Sequence, residues 1–400
     1  MTLSAIKPTS FPWFEYEGFT FCLGLVEGDA GWTSGCTSAA TDPAIGKMTV
    51  SGTMKEQASI AYEKMLVILA TVGLGIEDVT RVTENVTLSG LDQYEDAAQV
   101  RRDVLGGHEP SVRTVVVERL VRRAAYLEVE MHAVKDGGTV LVTSAEIEVG
   151  TANGSPVREG FDGLVYLPTI LPIEADGTPV AGGVAAQYRW CLDRAEELLT
   201  TAGLGLADVA VVYDYSTPQT REAHAETIGV RRERFAGDAA LPAAGSILMS
   251  RLHRPGVLVA VDVIASRHPR TKVDPGWGHF KELACSPAVR VGRTLFVSGI
   301  NAVDPTTGEL AAGDVGVQSR AAYSTLTALL AHEGLTPADL LETTEYCAER
   351  AVPDYRAVAG VRAELLTPPW PASTGAICAG LVHPEALLEV FPAALYPEGA

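Results

Sequence analysis

The sequence predicts an α+β protein made of three tandem units, and two sets of regularly spaced residues support this prediction. Three glycines, Gly73, Gly203 and Gly334, end similar amphipathic helical segments at two nearly equal intervals along the chain. Three glutamines near the starts of the same segments repeat these two intervals: Gln57, Gln187 and Gln318. Two independent landmarks that share one period indicate duplicated structural units rather than chance similarity.

The order of elements within a unit is clearest near the C-terminus. Residues 289–303 alternate as a strand that runs into the turn DPTTGE, and residues 317–335 have apolar side chains at helical spacing up to the capping glycine. A strand, LLETTEYC, leads to a second helix that starts near Asp354 and stops before Pro368. The strands STGAICAGL and ALLEVFPAAL close the unit. The predicted order is therefore ββαβαββ.

The repeat predicts domain boundaries. We expect a first unit over residues 1–135, a hairpin or linker over 136–155, and a second, degenerate unit over 156–268. A linker over 269–279 leads to a third unit over 280–400. Both linkers are expected to be surface connections. Because two helices can cover only one face of each sheet, the opposite faces are expected to pack together and form a closed ring.

Composition excludes several classes of protein. A chain with 47% hydrophobic and 20% charged residues can bury a sizeable core. No apolar stretch is long enough to span a membrane and no secretion signal opens the chain, so the prediction is a cytoplasmic protein without a membrane partner. The scattered cysteines and histidines predict reduced thiols and no bound metal. A net charge of −19 disfavours nucleic acid as a partner.

One basic cluster stands out against this acidic background. Its members are Arg101, Arg102, Arg113, Arg119, Arg122 and Arg123. No aromatic residues are interleaved with it, so we interpret it as a solvated hairpin rim, with one exception. Arg113 heads the apolar alternation VRTVVVERL, where a β-branched residue is usual, and a guanidinium cannot lose its charge on burial. An anionic ligand or side chain is expected beside it.

Several motifs carry a family likeness. VGRTLFVSG, DPTTGE, AHEGLTPADLLETTEY, the PDY before the second helix and PPWPAST resemble the RidA family, the reactive-intermediate deaminases of the YjgF superfamily. The likeness covers nearly all of the third unit, most of the first and, more faintly, the second. It implies chorismate-mutase-like units with ligand clefts between neighbours. A chain with three units would then be a covalent pseudo-trimer, and its further self-association is left open.

The resemblance also implies a site. In the family an arginine in a P-A-R signature binds a substrate carboxylate, and a glutamate follows it by fifteen residues. Arg113 and Glu128 keep this spacing in the first unit. At the two positions the second unit has Ala244 and Ala260, and the third has Ser373 and Glu389.

A serine and glycine that the family carries at the end of the first strand are matched in two of the units. The matching residues are Ser34 and Gly35 in the first unit and Ser298 and Gly299 in the third. The second unit has Leu167 and Pro168 at these positions. Cys36, which directly follows Gly35, is either a residue of the pocket or a small buried side chain.

The implied reaction is hydrolysis of an imine or enamine of a small carboxylate-bearing metabolite, or a related biosynthetic step, without metal or cofactor. Arg113 would bind the carboxylate, Glu128 would transfer protons, and Ser34, Gly35 and Cys36 would line the site. Glu389, Ser298 and Gly299 are weaker candidates. The alternatives are an Arg113–Glu128 ion pair with only a structural role, a noncatalytic binding or regulatory protein, and a chorismatase-like hydrolase. The net charge argues against a ribonuclease.

Overall fold

The structure is a computed structural model that describes residues 3–147, 149–237 and 240–399. Helices and strands are mixed along the chain in an α+β arrangement, as predicted. We divide the chain into a first segment (residues 3–135), a second segment (136–268) and a third segment (269–399). In each segment the main elements follow the order ββαβαββ, with additional short strands.

The described part of the first segment contains nine strands and two α-helices. They are β1 (Ser4–Ala5), β2 (Gly24–Glu27), β3 (Ala30–Thr33), β4 (Ala40–Asp42), β5 (Lys47–Thr49), α1 (Met54–Ala70), β6 (Val79–Thr87), α2 (Tyr94–Leu105), β7 (Ser111–Val117), β8 (Arg119–Leu120) and β9 (Leu127–Val134).

The second segment contains β10 (Thr139–Val142), β11 (Val157–Glu159), β12 (Leu164–Tyr166), α3 (Gly183–Thr201), β13 (Val209–Ser216), α4 (His224–Arg234), β14 (Ala243–Leu248) and β15 (Val259–Ser266). The third segment contains β16 (Thr271–Val273), α5 (His279–Glu282), β17 (Ala288–Val291), β18 (Thr294–Val297), α6 (Val315–His332), β19 (Leu340–Ala348), α7 (Arg356–Leu365), β20 (Ala372–Cys378), β21 (Gly380–Leu381) and β22 (Leu388–Leu395).

Three large sheets have matching strand orders. They run β1-β2-β3-β9-β6-β7, β10-β11-β12-β15-β13-β14-β21 and β16-β17-β18-β22-β19-β20-β8. In each sheet a long inner strand pairs in parallel with the strand that follows the second helix, and antiparallel with the last strand of the segment. Each of the two predicted linker ranges contains a short strand. Strands β10 and β16 lie within them and pair as edge strands, because their backbone groups find partners in the next sheet.

Two short strands join the sheet of a neighbouring segment. Strand β8 of the first segment pairs with β20 of the third, with Leu120 opposite Ala376. Strand β21 of the third segment pairs with β14 of the second, with Leu381 opposite Ile247. Each of these pairings provides hydrogen-bond partners for backbone groups at a sheet edge that would otherwise have none.

The helices cover the outer faces of the sheets, while the inner faces meet at the centre. One apolar cluster contains buried residues from all three segments, including Val115, Tyr213 and Phe391. The rings of Tyr213 and Phe391 stack across the second and third segments with their centroids 4.4 Å apart. Burial of these inner faces joins the segments.

The ends of the long helices follow local rules. Thr53 and Glu56 form a capping box at the start of α1, and Asp314 accepts a hydrogen bond from the Val317 amide at the start of α6. A glycine follows each of α1, α3 and α6: Gly73, Gly203 and Gly334. Their φ values are 76°, 75° and 72°, which glycine adopts without strain. Among the described residues, no helix combines the length and the apolar character needed to cross a membrane.

Candidate functional site

A cavity of about 180 Å³ lies where the first segment meets the third. We call it the Glu128 cleft. The first segment contributes Phe14, Phe19, Phe21, Leu23, Ser34, Gly35, Cys36, Thr37, Ala39, Met48, Val121, Arg122 and Glu128. The third contributes Tyr355, Arg362, Ser373, Thr374 and Gly375. The structure thus brings together four of the predicted site residues, Ser34, Gly35, Cys36 and Glu128.

Among the described residues that line this cleft, Glu128 supplies the carboxyl group. It lies on β9 opposite Asn85, and its Oε2 atom is buried with no hydrogen-bond partner among the described residues. Burial, with a smaller contribution from the charge of Glu130, raises the pKa of Glu128 to about 8. The carboxyl group can therefore hold a proton near neutral pH and release it to a bound molecule.

Gly35 allows the two segments to approach each other beside this carboxyl group. Its amide faces Ser373 O at 3.2 Å and Thr374 Oγ1 at 3.1 Å, both in the third segment. A Cβ atom on Gly35 would lie 2.5 Å from Thr374 Oγ1 and 2.8 Å from Glu128 Cδ. Any side chain here would have to displace the wall of the cleft.

Ser34 joins the two segments. Its hydroxyl donates to Cys22 O at 2.5 Å and accepts from the Ser373 amide at 2.8 Å. Both contacts hold strands in register. The predicted contact of this hydroxyl with a ligand would have to compete with them.

Cys36 is fixed by its backbone, which exchanges two hydrogen bonds of 3.0 Å with Val129. Burial raises the pKa of its thiol to about 12, so the thiol stays protonated. Cys36 is a buried residue at the cleft wall, which combines the two alternatives drawn from the sequence.

Arg113 lies elsewhere. The residue is only 6% exposed and reaches the second segment, where Nε donates to Asp262 Oδ2 at 2.5 Å and Nη2 donates to the Tyr215 hydroxyl. Thr169 donates to the other carboxylate oxygen of Asp262 at 2.5 Å. The predicted carboxylate anchor is therefore bound to a carboxylate of the protein.

The sheet order explains why Arg113 and Glu128 are apart. Strand β6 lies between β7 and β9, and Thr83 on β6 pairs with both Arg113 and Glu130. Glu128 lies two residues away along β9, opposite Asn85. The expectation of one cleft holding Arg113 and Glu128 is thus corrected, and so is the alternative of an ion pair between them. Arg113 instead borders a cavity of about 20 Å³, room for about one water molecule.

A second cavity, of about 340 Å³, lies between the second and third segments. We call it the Glu389 cleft. Glu389 accepts a hydrogen bond of 3.1 Å from Asn301, and burial raises the pKa of its carboxyl group to about 7. Gly299 lies so close to this carboxyl group that a Cβ atom on it would collide with Glu389 Oε1.

Ser298, the third weaker candidate, repeats the role of Ser34 at this second cleft. It accepts from the Ala244 amide at 2.9 Å and donates to Ser286 O at 2.6 Å. Its hydroxyl therefore joins the second and third segments.

Buried acid–arginine contacts recur in the three segments, and sequence reasoning missed them. The pairs are Glu84–Arg101, Asp214–Arg231 and Glu345–Arg362. Both members of the pair repeat at the same two intervals as the glycines that end the helices. The placement of Arg101 on a solvated rim is corrected, because its side chain is buried and its guanidinium forms an ion pair with Glu84.

Arg122 and Arg123 are exposed, as the rim interpretation expected. A second missed signal is the cluster of aromatic residues between positions 11 and 21, three of which line the Glu128 cleft. Within residues 3–147, 149–237 and 240–399, no group of three or more histidine, cysteine or acidic side chains is arranged to hold a metal ion.

Residues 282–395 match the model of a protein family described as endoribonuclease L-PSP. RutC family proteins of Pyrococcus abyssi and Pyrococcus horikoshii are each 34% identical over 61 residues, which is 15% of this chain. The match spans about half, 48%, of the length of these relatives.

Two solved structures are each similar to 32% of this chain. Protein YjgH is 29% identical over 32% of this chain and 98% of its own, with a TM-score of 0.29. Rv2704 of Mycobacterium tuberculosis, a member of the YjgF/YER057c/UK114 family, is 25% identical over 32% of this chain and 98% of its own, with a TM-score of 0.28.

Proposed function

We propose, from the premise that residues 282–395 form a domain of the RidA/YjgF family, that the protein is a RidA-like hydrolase of small imines or enamines. Its working site in this proposal is the Glu128 cleft. The observation that carries the proposal is the carboxyl group of Glu128, which borders the cavity beside Gly35 and has a buried oxygen without a partner among the described residues.

The proposal includes the architecture of the chain. We regard the three segments as three RidA-like units joined into a covalent pseudo-trimer. The regular intervals between the repeated glycines and glutamines, the matching strand orders and the shared central cluster support this interpretation. Fusion into one chain lets each contact between units diverge, which would account for two different open clefts and a third contact occupied by Arg113 and Asp262.

The chemistry follows from a carboxyl group that is protonated near neutral pH. Glu128 donates its proton to the imine nitrogen, and a water oxygen then bonds to the imine carbon while one of its protons passes to the carboxylate. Glu128 returns this proton to the nitrogen of the resulting carbinolamine, the C–N bond breaks, and ammonia leaves. The hydroxyl proton returns to Glu128 as the carbonyl forms. Imine and water thus give a carbonyl compound and ammonia.

The test is ammonia release from imines formed in situ, either from primary amines by a flavin amine oxidase or from amino acids by an amino-acid oxidase. We expect the wild-type chain to accelerate release, and Glu128→Gln to remove at least about 99% of that acceleration, because general acid–base catalysis contributes roughly a hundredfold or more. Glu389→Gln is the matched control in the other cleft and is expected to retain activity. A Glu128→Gln variant as fast as wild type would refute the proposed site.

One observation favours a second candidate, a binding protein without turnover. At the position where the resemblance places a substrate-binding arginine, the Glu128 cleft has Ser373. If no imine is hydrolysed while a small molecule still binds in the cleft, this second candidate replaces the first. Hydrolysis of RNA is disfavoured by the net charge of −19.

A further inference from the structure

An aromatic surface faces the Glu128 cleft from the first segment. We call Phe14, Phe19 and Phe21 the aromatic wall; all three are half-buried and border the cavity. The rings of Phe19 and Phe21 are stacked, with centroids 4.9 Å apart and planes 6° from parallel. The Phe14 centroid lies 6.3 Å from that of Phe19. Half-buried rings in a cavity offer a ligand apolar area to cover.

The aromatic wall is attached to the rest of the first segment through a buried lysine. Lys64 Nζ donates to Thr37 O at 2.7 Å and to Ala39 O at 2.5 Å, and it lies 5.2 Å from the centroid of Phe14. A backbone hydrogen bond of 2.6 Å from Thr41 to Trp13 also holds this part of the chain. The wall is therefore preorganised, and the lysine ammonium is committed to carbonyl groups and rings.

Arg362, the charged side chain that the third segment contributes to this cleft, forms an ion pair with Glu345. Arg362 Nη1 lies 3.3 Å from Glu345 Oε1, and the Tyr355 hydroxyl donates to Glu345 Oε2 at 2.5 Å. Ser373 occupies the position of the family's arginine, and its hydroxyl lies 2.7 Å from Thr343 Oγ1. A ligand carboxylate would meet a short neutral side chain where the resemblance implies a guanidinium.

The carboxyl group of Glu128 also favours a neutral ligand. Burial raises the pKa of Glu128 to about 8, so a nearby carboxylate would oppose its ionisation and would find no guanidinium at the Ser373 position. A neutral carbonyl, amide or imine can accept a hydrogen bond from the protonated carboxyl group. Arg122, the guanidinium at this cleft from the first segment, is exposed and lies 3.0 Å from Met48 Sδ.

We infer that the Glu128 cleft takes a neutral molecule with an aromatic ring, which packs against the aromatic wall and forms a hydrogen bond with Glu128. This inference rests on the proposed function for the location of the site and narrows its substrate class from small imines and enamines to uncharged ones that carry an aromatic ring.

The Glu389 cleft provides a contrast within the same chain. Among the described residues that line it, Phe280 supplies the one phenyl ring. Three histidines and an arginine also line this cleft: His224, His279, His383 and Arg231. The two clefts therefore offer a ligand different surfaces, and the aromatic one belongs to Glu128.

The test compares two probes of nearly the same shape, phenylacetamide and phenylacetate, by isothermal titration calorimetry on the full chain near pH 7. We expect phenylacetamide to bind at least about tenfold more tightly, since an unpaired carboxylate in a buried site is costly. Equal or tighter binding of phenylacetate, or no binding of phenylacetamide, would overturn the inference.

Two variants test the roles of the aromatic wall and of the neutral side chain at position 373. Phe19→Ala removes a ring from the wall and is expected to weaken phenylacetamide binding roughly tenfold. Ser373→Arg supplies a guanidinium and is expected to reverse the preference, so that phenylacetate binds better than phenylacetamide. Urea unfolding of both variants checks that they remain folded. A folded Phe19→Ala that binds phenylacetamide as tightly as wild type would contradict the role of the wall.

Binding and turnover separate this inference from the proposed function. Binding of phenylacetamide without hydrolysis of any imine would refute the hydrolase and leave the aromatic site standing. Hydrolysis of small aliphatic imino acids at Glu128, with no preference for aromatic ones, would refute the aromatic site and support the hydrolase.

Discussion

Arg113 of the first segment donates a hydrogen bond of 2.5 Å to Asp262 of the second, and both side chains are buried. The arginine that the sequence presents as a substrate anchor is thus part of the contact between two segments. Because each charge is desolvated, the pair matters chiefly through what happens when one partner is removed.

Asp262→Asn should destabilise the protein. The substitution leaves the Arg113 guanidinium buried beside a neutral amide, and we expect the free energy of unfolding to fall by about 3–5 kcal/mol. Equilibrium unfolding in urea measures the change. Glu95→Gln, which removes an exposed ion pair with Arg102, is the control and should change the free energy by less than about 1 kcal/mol. Equal effects of the two substitutions would show that loss of the buried pair costs no more stability than loss of an exposed one.

The raised pKa of Glu128 predicts how stability depends on pH. Below about pH 4 the carboxyl group is protonated in both states and contributes no slope. Between the unfolded value of 4.5 and the folded value of about 8, only the folded protein keeps the proton. Stability should therefore fall as pH rises through this window, and Glu128→Gln should reduce the fall by about 1 kcal/mol or more. Urea unfolding at pH 5 and pH 8 gives the difference, and a wild-type slope unchanged in the variant would contradict the raised pKa.

Gly35→Ala should disturb the Glu128 cleft. The added Cβ atom would lie 2.5 Å from Thr374 Oγ1, so either the third segment or Glu128 must move. We expect a loss of about 1–3 kcal/mol in the free energy of unfolding, together with reduced ammonia release. Gly205→Ala is a matched control, because no atom lies within 4 Å of its added Cβ and its backbone is extended. A Gly35→Ala variant that behaves like the control would contradict the close approach.

The thiol of Cys36 should be unreactive. Burial raises its pKa to about 12, so almost none of it is thiolate at pH 7.5. We expect iodoacetamide to leave Cys36 unmodified in the folded protein, as judged by mass spectrometry of its peptide, and to modify it after unfolding in urea. Cys36→Ala should keep most of the ammonia release. Rapid alkylation of the folded protein would contradict this description of the thiol.

The arrangement of elements could be predicted from the sequence because local signals repeat. Glycines at helix ends and alternating apolar residues report helices and strands directly, and the order ββαβαββ follows from them. A hairpin was predicted over the range that contains β10, but the pairing of β10 and β16 with the next sheet could not be predicted, since short strands gain their stability from the sheet that they join.

The site was predictable in part. Ser34, Gly35 and Cys36 are consecutive in the chain, and their approach to Glu128 follows from pairing of Cys36 with Val129. The separation of Arg113 from Glu128 depends on sheet order, because β6 stands between their strands, and fifteen residues of spacing carry no information about that order. The Asp262 partner lies 149 residues away along the chain, beyond the reach of any local pattern.

A crystal structure of the protein soaked with phenylacetamide would show where this ligand binds. We expect electron density for the ring against Phe19 and for the amide group within hydrogen-bond distance of Glu128. Density in the Glu389 cleft alone, or a ligand bound at Arg113 after displacement of Asp262, would contradict this expectation.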